Sequence, residues 1–418
     1  MLEIIGKIWK NKVFVVFAIL ILITFPSTLY QQSDKDKTIV TSSIGIDIKD
    51  NEYDVTILAV IPKDSSDVSS NLELFNGQGK TISEALDGIS LDIGKKIGLA
   101  HCDCIIFSEE LMQDNLATCL DYFIRTANLS TNPTLIATPD SAKDLLEAVK
   151  NSNNLLDLSL KNIISSQEYI SVINNVTLDR FYRAYFSPHS TFTIPILETQ
   201  ESESSGGSET GGSGGESSNS SQSESSNESS GNQQSKKISN DNKIAVVRDG
   251  KYISTLTEDE MFIYSLISKP SEYQKFVLEN ITDENVTNST VILQEADKVI
   301  MPICKFVDGK PVMQYNIWLS VVIDEVSSKD NYSFASVSGI KNYLTDIVKD
   351  EFYKQINEKL EITNKLMQEN QYDIMNVYSK FNAFAYSKFH DYSNALGDNC
   401  QYMKDMTFEI NLRLNYVI

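Results

Sequence analysis

His101-Cys102-Asp103-Cys104 places four potential metal ligands in a row. A structural zinc site needs its donors to converge on one tetrahedral centre. Read as part of a strand over 101–107, these cannot converge. Successive side chains alternate, so His101 and Asp103 face one side and Cys102 and Cys104 the other. No second ligand cluster accompanies them, and cysteines two apart on a strand are badly placed for a disulfide. The expectation is two small thiols packed in a core strand. Cys119, Cys304 and Cys400 add no CxxC pair and no regular framework. His189 follows Pro188 near Tyr182, Tyr185 and Phe186, without an identifiable partner for acid–base work. Arg180 and Arg183 share a helix face with Asp179, the pattern of a solvated ion pair. There is no G-x-S-x-G elbow, P-loop, H-E-x-x-H or G-x-G-x-x-G. The glycines from Gly206 to Gly215 lie in a low-complexity stretch rather than in a phosphate cradle. No catalytic, cofactor-binding or metal-binding residue is nominated, and the chain reads as a non-enzyme with no cofactor.

The elements around these residues begin with an apolar run. Lys7, Lys10 and Lys12 precede an uncharged stretch over 13–30. Eighteen helical residues cover roughly 27 Å, enough for a thin bilayer. Lysines before the run predict a cytoplasmic N-terminus and a body outside the cytoplasm. A cleaved signal peptide is the rival, but Phe25-Pro26-Ser27-Thr28-Leu29-Tyr30-Gln31 offers no A-x-A-like site. The chain carries 418 residues and a net charge of -21. That charge argues against nucleic acid as a partner and against an electrostatic grip on anionic lipid.

Residues 201–239 are dominated by Ser, Gly, Glu, Asn and Gln. Such a segment cannot offset its ordering entropy by burying apolar surface and is expected to be a disordered linker. It divides the chain into a segment 1–37 holding the anchor, a module over 38–200, the linker, and a module over 240–418. In the first module Ile44, Ile46 and Ile48, then Tyr53, Val55, Ile57, Ala59 and Ile61, alternate about a turn and predict a hairpin. Thr81 and Glu84 predict a capping box for a helix over 82–95. Ser108 is expected to cap the next helix, 158–186 to be mostly helical and 192–197 extended. In the second module Asp249-Gly250 and Asp308-Gly309 predict two hairpins, and Thr257 with Glu260 a second capping box. A helix of roughly thirty residues through Ile340, Phe352, Ile356 and Met367 follows. The final strand turns Phe408, Ile410, Leu412, Leu414 and Tyr416 one way and Glu409, Asn411, Arg413 and Asn415 the other. The fold class is α+β: a transmembrane helix, then mixed α/β modules with largely antiparallel sheets flanked by helices.

Several of these stretches together resemble a known family. Gly79-Lys80-Thr81-Ile82-Ser83-Glu84-Ala85-Leu86, Leu99-Ala100-His101 and Ile105-Ile106-Phe107-Ser108-Glu109-Glu110-Leu111 look like the N-terminal half of the Ger(x)C family, the C subunits of spore germinant receptors. Leu120 to Thr126 and Ala142-Lys143-Asp144-Leu145-Leu146 continue the match. Ala245-Val246-Val247-Arg248-Asp249-Gly250-Lys251, then Leu256-Thr257-Glu258-Asp259-Glu260, resemble its C-terminal half. The family usually carries a lipobox cysteine near the start, where this chain has its apolar run. Asp373 is followed by Ile374-Met375-Asn376-Val377 rather than by the family's glycine-rich segment. The resemblance implies a non-catalytic subunit in spore germination, on the outer face of the spore inner membrane, working by scaffolding or signal relay beside integral-membrane A-type and B-type subunits. The alternative is a membrane-tethered surface binding module of a complex unrelated to germination.

Overall fold

The computed structural model describes residues 37–61, 72–126, 129, 132–151, 160–169, 176–186, 191–201, 236–239, 241–267, 274–283, 286–327, 337–397 and 401–417, with Val16 and Leu20 ahead of them. The expected anchor at 13–30, apart from Val16 and Leu20, and nearly all of the linker at 201–239 lie outside these. Among the described residues no helix is long and apolar enough to cross a membrane. The fold is mixed α+β and rich in antiparallel strands.

The first sheet has six strands: β1 (Thr38–Lys49), β2 (Glu52–Val60), β3 (Leu72–Gly79), β4 (Lys96–Gly98), β5 (Cys104–Ser108) and β6 (Thr134–Thr138). Its order is β3-β2-β1-β5-β6, with β4 also against β1. Asp50 and Asn51 both take positive φ, the geometry that a two-residue β1–β2 turn needs. Helices α1 (Ile82–Ile93) and α2 (Glu109–Arg125) cover one face. Helices α3 (Ala142–Asn151) and α4 (Leu160–Tyr169) cover the other. Burial on both faces is why Ile105-Ile106-Phe107 and Leu135-Ile136-Ala137 are apolar without alternation. Gly45 lets α3 close on β1, since a Cβ there would lie 3.0 Å from Leu146 and 3.1 Å from Ala142. The Asp47 carboxylate completes that contact. It accepts the Ala142 and Lys143 amides at 2.8 and 3.1 Å, an acidic group at a helix N-terminus.

The capping box of α1 forms: the Glu84 amide donates to Thr81 Oγ1 at 3.1 Å, and Glu84 Oε2 accepts the Lys80 amide at 2.9 Å. The Ser108 cap does not. Ser108 holds the N-cap position of α2, but as the last residue of buried β5 its hydroxyl makes no capping bond. Helix α5 (Leu178–Tyr185) and strand β7 (Thr191–Pro195) end the first module, followed by a two-stranded ribbon of β8 (Glu198–Glu201) and β9 (Lys236–Ser239).

Across the linker, β10 (Ile244–Arg248) and β11 (Lys251–Leu256) form the hairpin turning at Asp249-Gly250. Next come α6 (Glu258–Ile267), β12 (Lys275–Asp283), β13 (Val286–Val307), β14 (Lys310–Ser327), α7 (Val337–Asn370), α8 (Val377–Phe384), α9 (Tyr386–Leu396) and β15 (Thr407–Tyr416). The second sheet runs β12-β13-β14-β15. Met313, Tyr315, Ile317, Leu319 and Val321 of β14 pack on the face that carries Val348, Phe352, Ile356 and Met367 of α7. The last strand departs from the antiparallel expectation: β15 pairs parallel with β14. The helical crossover between them returns the chain in the same direction, as parallel neighbours require.

Candidate functional site

The sequence cluster at 101–104 does not assemble. Cys102 sits in a turn, its amide on the Leu99 carbonyl at 3.0 Å, and the strand starts only at Cys104. The expected shared face is therefore wrong. Cys102 packs with Ile105 and Phe107, and Cys104 packs across the sheet with Ile106 and Leu58. Both thiols are buried, and burial pushes Cys104 up to about 12 and Cys102 higher still. Cys102 Sγ donates to the Cys104 carbonyl at 3.3 Å. Asp103 points outward to Lys161 at 3.4 Å. Among the described residues no group of three His, Cys, Asp or Glu could hold a metal. His189 and Cys400 lie outside them. Arg183 pairs with Asp179 at 2.9 Å on the surface.

The structure gathers its unusual features instead around β10, which the sequence marks as one arm of the Asp249-Gly250 hairpin but not as a strand shared by two cores. β10 is central in a three-stranded sheet, with β11 on one side and β7 on the other. Ile244↔Pro195 through Arg248↔Thr191 pair antiparallel across the linker. Alternation sends its side chains to different cores. Ala245 and Val247 join the core of the first module, and Ile244 and Val246 join that of the second. All four are buried.

The hairpin tip presses into the first module. Asp249 and Gly250 both have positive φ. A Cβ on Gly250 would lie 2.6 Å from Ala117 Cβ and 3.3 Å from the Tyr185 ring. The Gly250 carbonyl accepts the Leu116 amide at 3.0 Å. Beside this contact a cavity of about 360 Å³ opens between α2 and α5, lined by Asp121, Arg125, Tyr182, Tyr185 and Phe186 among others. Its rings stand at steep angles, with Tyr182–Phe186 at 4.9 Å and Tyr185–Phe186 at 5.4 Å. Its charges are spent on each other, Arg125 to Asp121 at 2.6 Å. Besides that pair its lining offers the Thr118 hydroxyl and aromatic rings, a contact surface of mixed polarity.

The other flank of the hairpin touches the segment after α7. Arg248 Nη1 donates to the Asn370 carbonyl at 3.2 Å, and Ser254 Oγ and Tyr372 Oη lie 2.8 Å apart. Next in sequence is Asp373, whose carboxylate is buried. Its oxygens accept the Val377 amide at 2.6 Å, the Tyr378 amide at 2.9 Å and the Tyr402 hydroxyl. It thus sets the start of α8 against the turn before β15. Desolvation raises its pKa while these donors oppose the rise. Lys380, whose pKa burial lowers, donates to the Met375 carbonyl at 2.6 Å and to Tyr315 Oη at 3.3 Å. A continuous set of contacts therefore runs from α2 through the β10–β11 tip to Asp373 and α8.

The comparisons with known proteins divide at the linker. The family model described as Spore germination protein N-terminal domain matches residues 32–199. The model described as Spore germination B3/ GerAC like, C-terminal, matches residues 242–416. A solved structure titled Crystal Structure of the GerBC protein is similar at 14% identity and a TM-score of 0.45, covering 90% of this chain and 97% of its own. No curated protein matches.

Proposed function

The chain belongs to the Ger(x)C family of spore germination proteins, which gives it a role in spore germination, and from that premise we propose that it is a membrane-tethered, non-catalytic relay subunit of a germinant receptor. Family membership also carries association with the spore membrane. The finer reading has the run over 13–30 as anchor and the body on the outer face of the spore inner membrane. A-type and B-type membrane subunits are its partners, and no bond is made or broken. The observation that carries the relay is β10, whose two faces belong to two cores. A displacement imposed on one module is delivered to the other through a strand buried on both sides, because packed cores shift between discrete arrangements rather than deform. A scaffold that only tethered its partners would not need its halves interlocked in this way.

The test is purification from spores in mild detergent together with a deletion strain. The protein is expected to co-purify with an A-type and a B-type subunit, and its loss to abolish the response to one germinant class while other triggers still work. A normal response in the deletion strain overturns the reading.

A further inference from the structure

We infer that the end of the first sheet where β1 begins is a membrane-facing surface that rests on anionic phospholipid headgroups. This rests on the reading of 13–30 as an anchor and adds which way the body faces. Seven residues separate position 30 from Thr38, and a fully extended chain over those eight steps reaches roughly 28 Å. The start of β1 is therefore leashed close to the bilayer.

That end of the sheet is basic. Thr38 pairs with Lys96, and the Lys96 amide donates to the Lys37 carbonyl at 2.9 Å. The pairing gathers Lys37, Lys95 and Lys96, all exposed, which outnumber Asp92 on α1 and Asp36, the residue before Lys37 in the sequence. Leu91, on the last turn of α1, is 83% exposed. The opposite end of β1, about 36 Å away at strand rise, is acidic: Asp47, Asp50, Glu52, Asp54 and Glu84 outnumber Lys49, Lys80 and Lys143. In a chain of net charge -21, the basic end is the one the leash holds at the membrane. An anionic leaflet repels most of this body and attracts these lysines, each worth about a fivefold gain in surface occupancy near such a leaflet. Leu91 then lies at headgroup depth, where an apolar side chain is favoured over water. The overall charge denies the whole body a grip on lipid, and the same charge turns the basic end toward the bilayer.

The experiment uses the full chain in phosphatidylglycerol-containing and in pure phosphatidylcholine vesicles. An environment-sensitive dye is placed by Leu91→Cys, Asp50→Cys or Ala18→Cys in a protein carrying Cys304→Ser and Cys400→Ser, which without the added cysteine is the labelling baseline because Cys102, Cys104 and Cys119 are buried. Headgroup-depth nitroxide lipid is expected to quench position 91 several-fold more than position 50. That excess is expected to collapse in phosphatidylcholine and in the Lys37→Gln/Lys95→Gln/Lys96→Gln protein. Equal quenching at 91 and 50 overturns the inference, as does protection of position 91 only when the partner membrane subunits are added, which assigns the surface to protein. Position 18 reports separately with deep nitroxide lipid. Quenching there without quenching at 91 leaves the anchor standing and removes only this inference, and quenching at 91 without quenching at 18 removes only the anchor.

Discussion

The core of the first module hides hydroxyls and thiols, whereas the core of the second encloses whole charges. Among the described residues, the buried polar side chains of the first module are Ser and Thr, from Thr41 to Thr193. Those of the second include Gln274, Glu295, Lys298 and Asp373. Lys298 Nζ sits 3.0 Å from Glu295 Oε2, with both side chains essentially out of solvent. In a regular strand, residues three apart face opposite ways. β13 has a register shift between Glu295 and Asp297, and this bulge turns both charges inward. Among the described residues the first module thus holds no fully buried charge. The second has its register and the seat of α8 fixed by charges that are costly when unpaired.

The comparison breaks most visibly at that ion pair. Lys298→Met strands a buried carboxylate and is expected to cost about 3–5 kcal/mol in urea unfolding, while Glu295→Leu with Lys298→Met returns stability to the original level or above. In the first module Cys119→Val, a near-isosteric change, is expected to cost under about 1.5 kcal/mol. Gly250→Val comes next. It puts a branched side chain at φ +76 against Ala117 and is expected to cost about 1–3 kcal/mol. Hydrogen exchange is expected to rise in β10 and β11 first, with the centres of both sheets still protected.

Alkaline pH sharpens the contrast with a smaller effect. Cys102, Cys104 and Cys119 keep their protons folded and release them unfolded once pH passes the ordinary thiol range. Their contribution therefore falls as pH rises there, by at most about 1.4 kcal/mol per pH unit per thiol. Lys298 and Lys380 have pKa values lowered by burial, so between those values and the ordinary lysine range the unfolded chain holds more protons. Their contribution rises with pH in that window. Urea midpoints across alkaline pH, for the original chain and for the Glu295→Leu/Lys298→Met protein, check the opposite signs. The least effect is expected at the surface pair of the cavity, where Arg125→Ala leaves the unfolding midpoint unchanged within error.

Much of this was readable in the chain because it is local. The turns at Asp50-Asn51, Asp249-Gly250 and Asp308-Gly309 form with the positive φ their residues allow. The Thr81–Glu84 box forms as expected. In the Thr257–Glu260 box, Glu260 Oε2 accepts both the Thr257 amide and its hydroxyl, at 2.8 and 2.9 Å. What failed is not local. Alternation was carried back through Cys102, where the chain is turning. The pattern of β15 gave its faces but not its parallel neighbour. The Glu295–Lys298 pair was invisible without the bulge. The joint left one clue, since Ala245-Val246-Val247 is apolar without alternation and signals a strand covered on both sides.

The most direct measurement is cleavage in the linker. With a protease site inserted near Gly214 and the chain cut, the halves are expected to stay together through size-exclusion chromatography without denaturant. β7–β10 pairing and two shared cores hold them. In the Gly250→Val protein they are expected to part at lower urea. Halves that separate under native conditions, each still folded, would contradict the claim that the two modules move as one body.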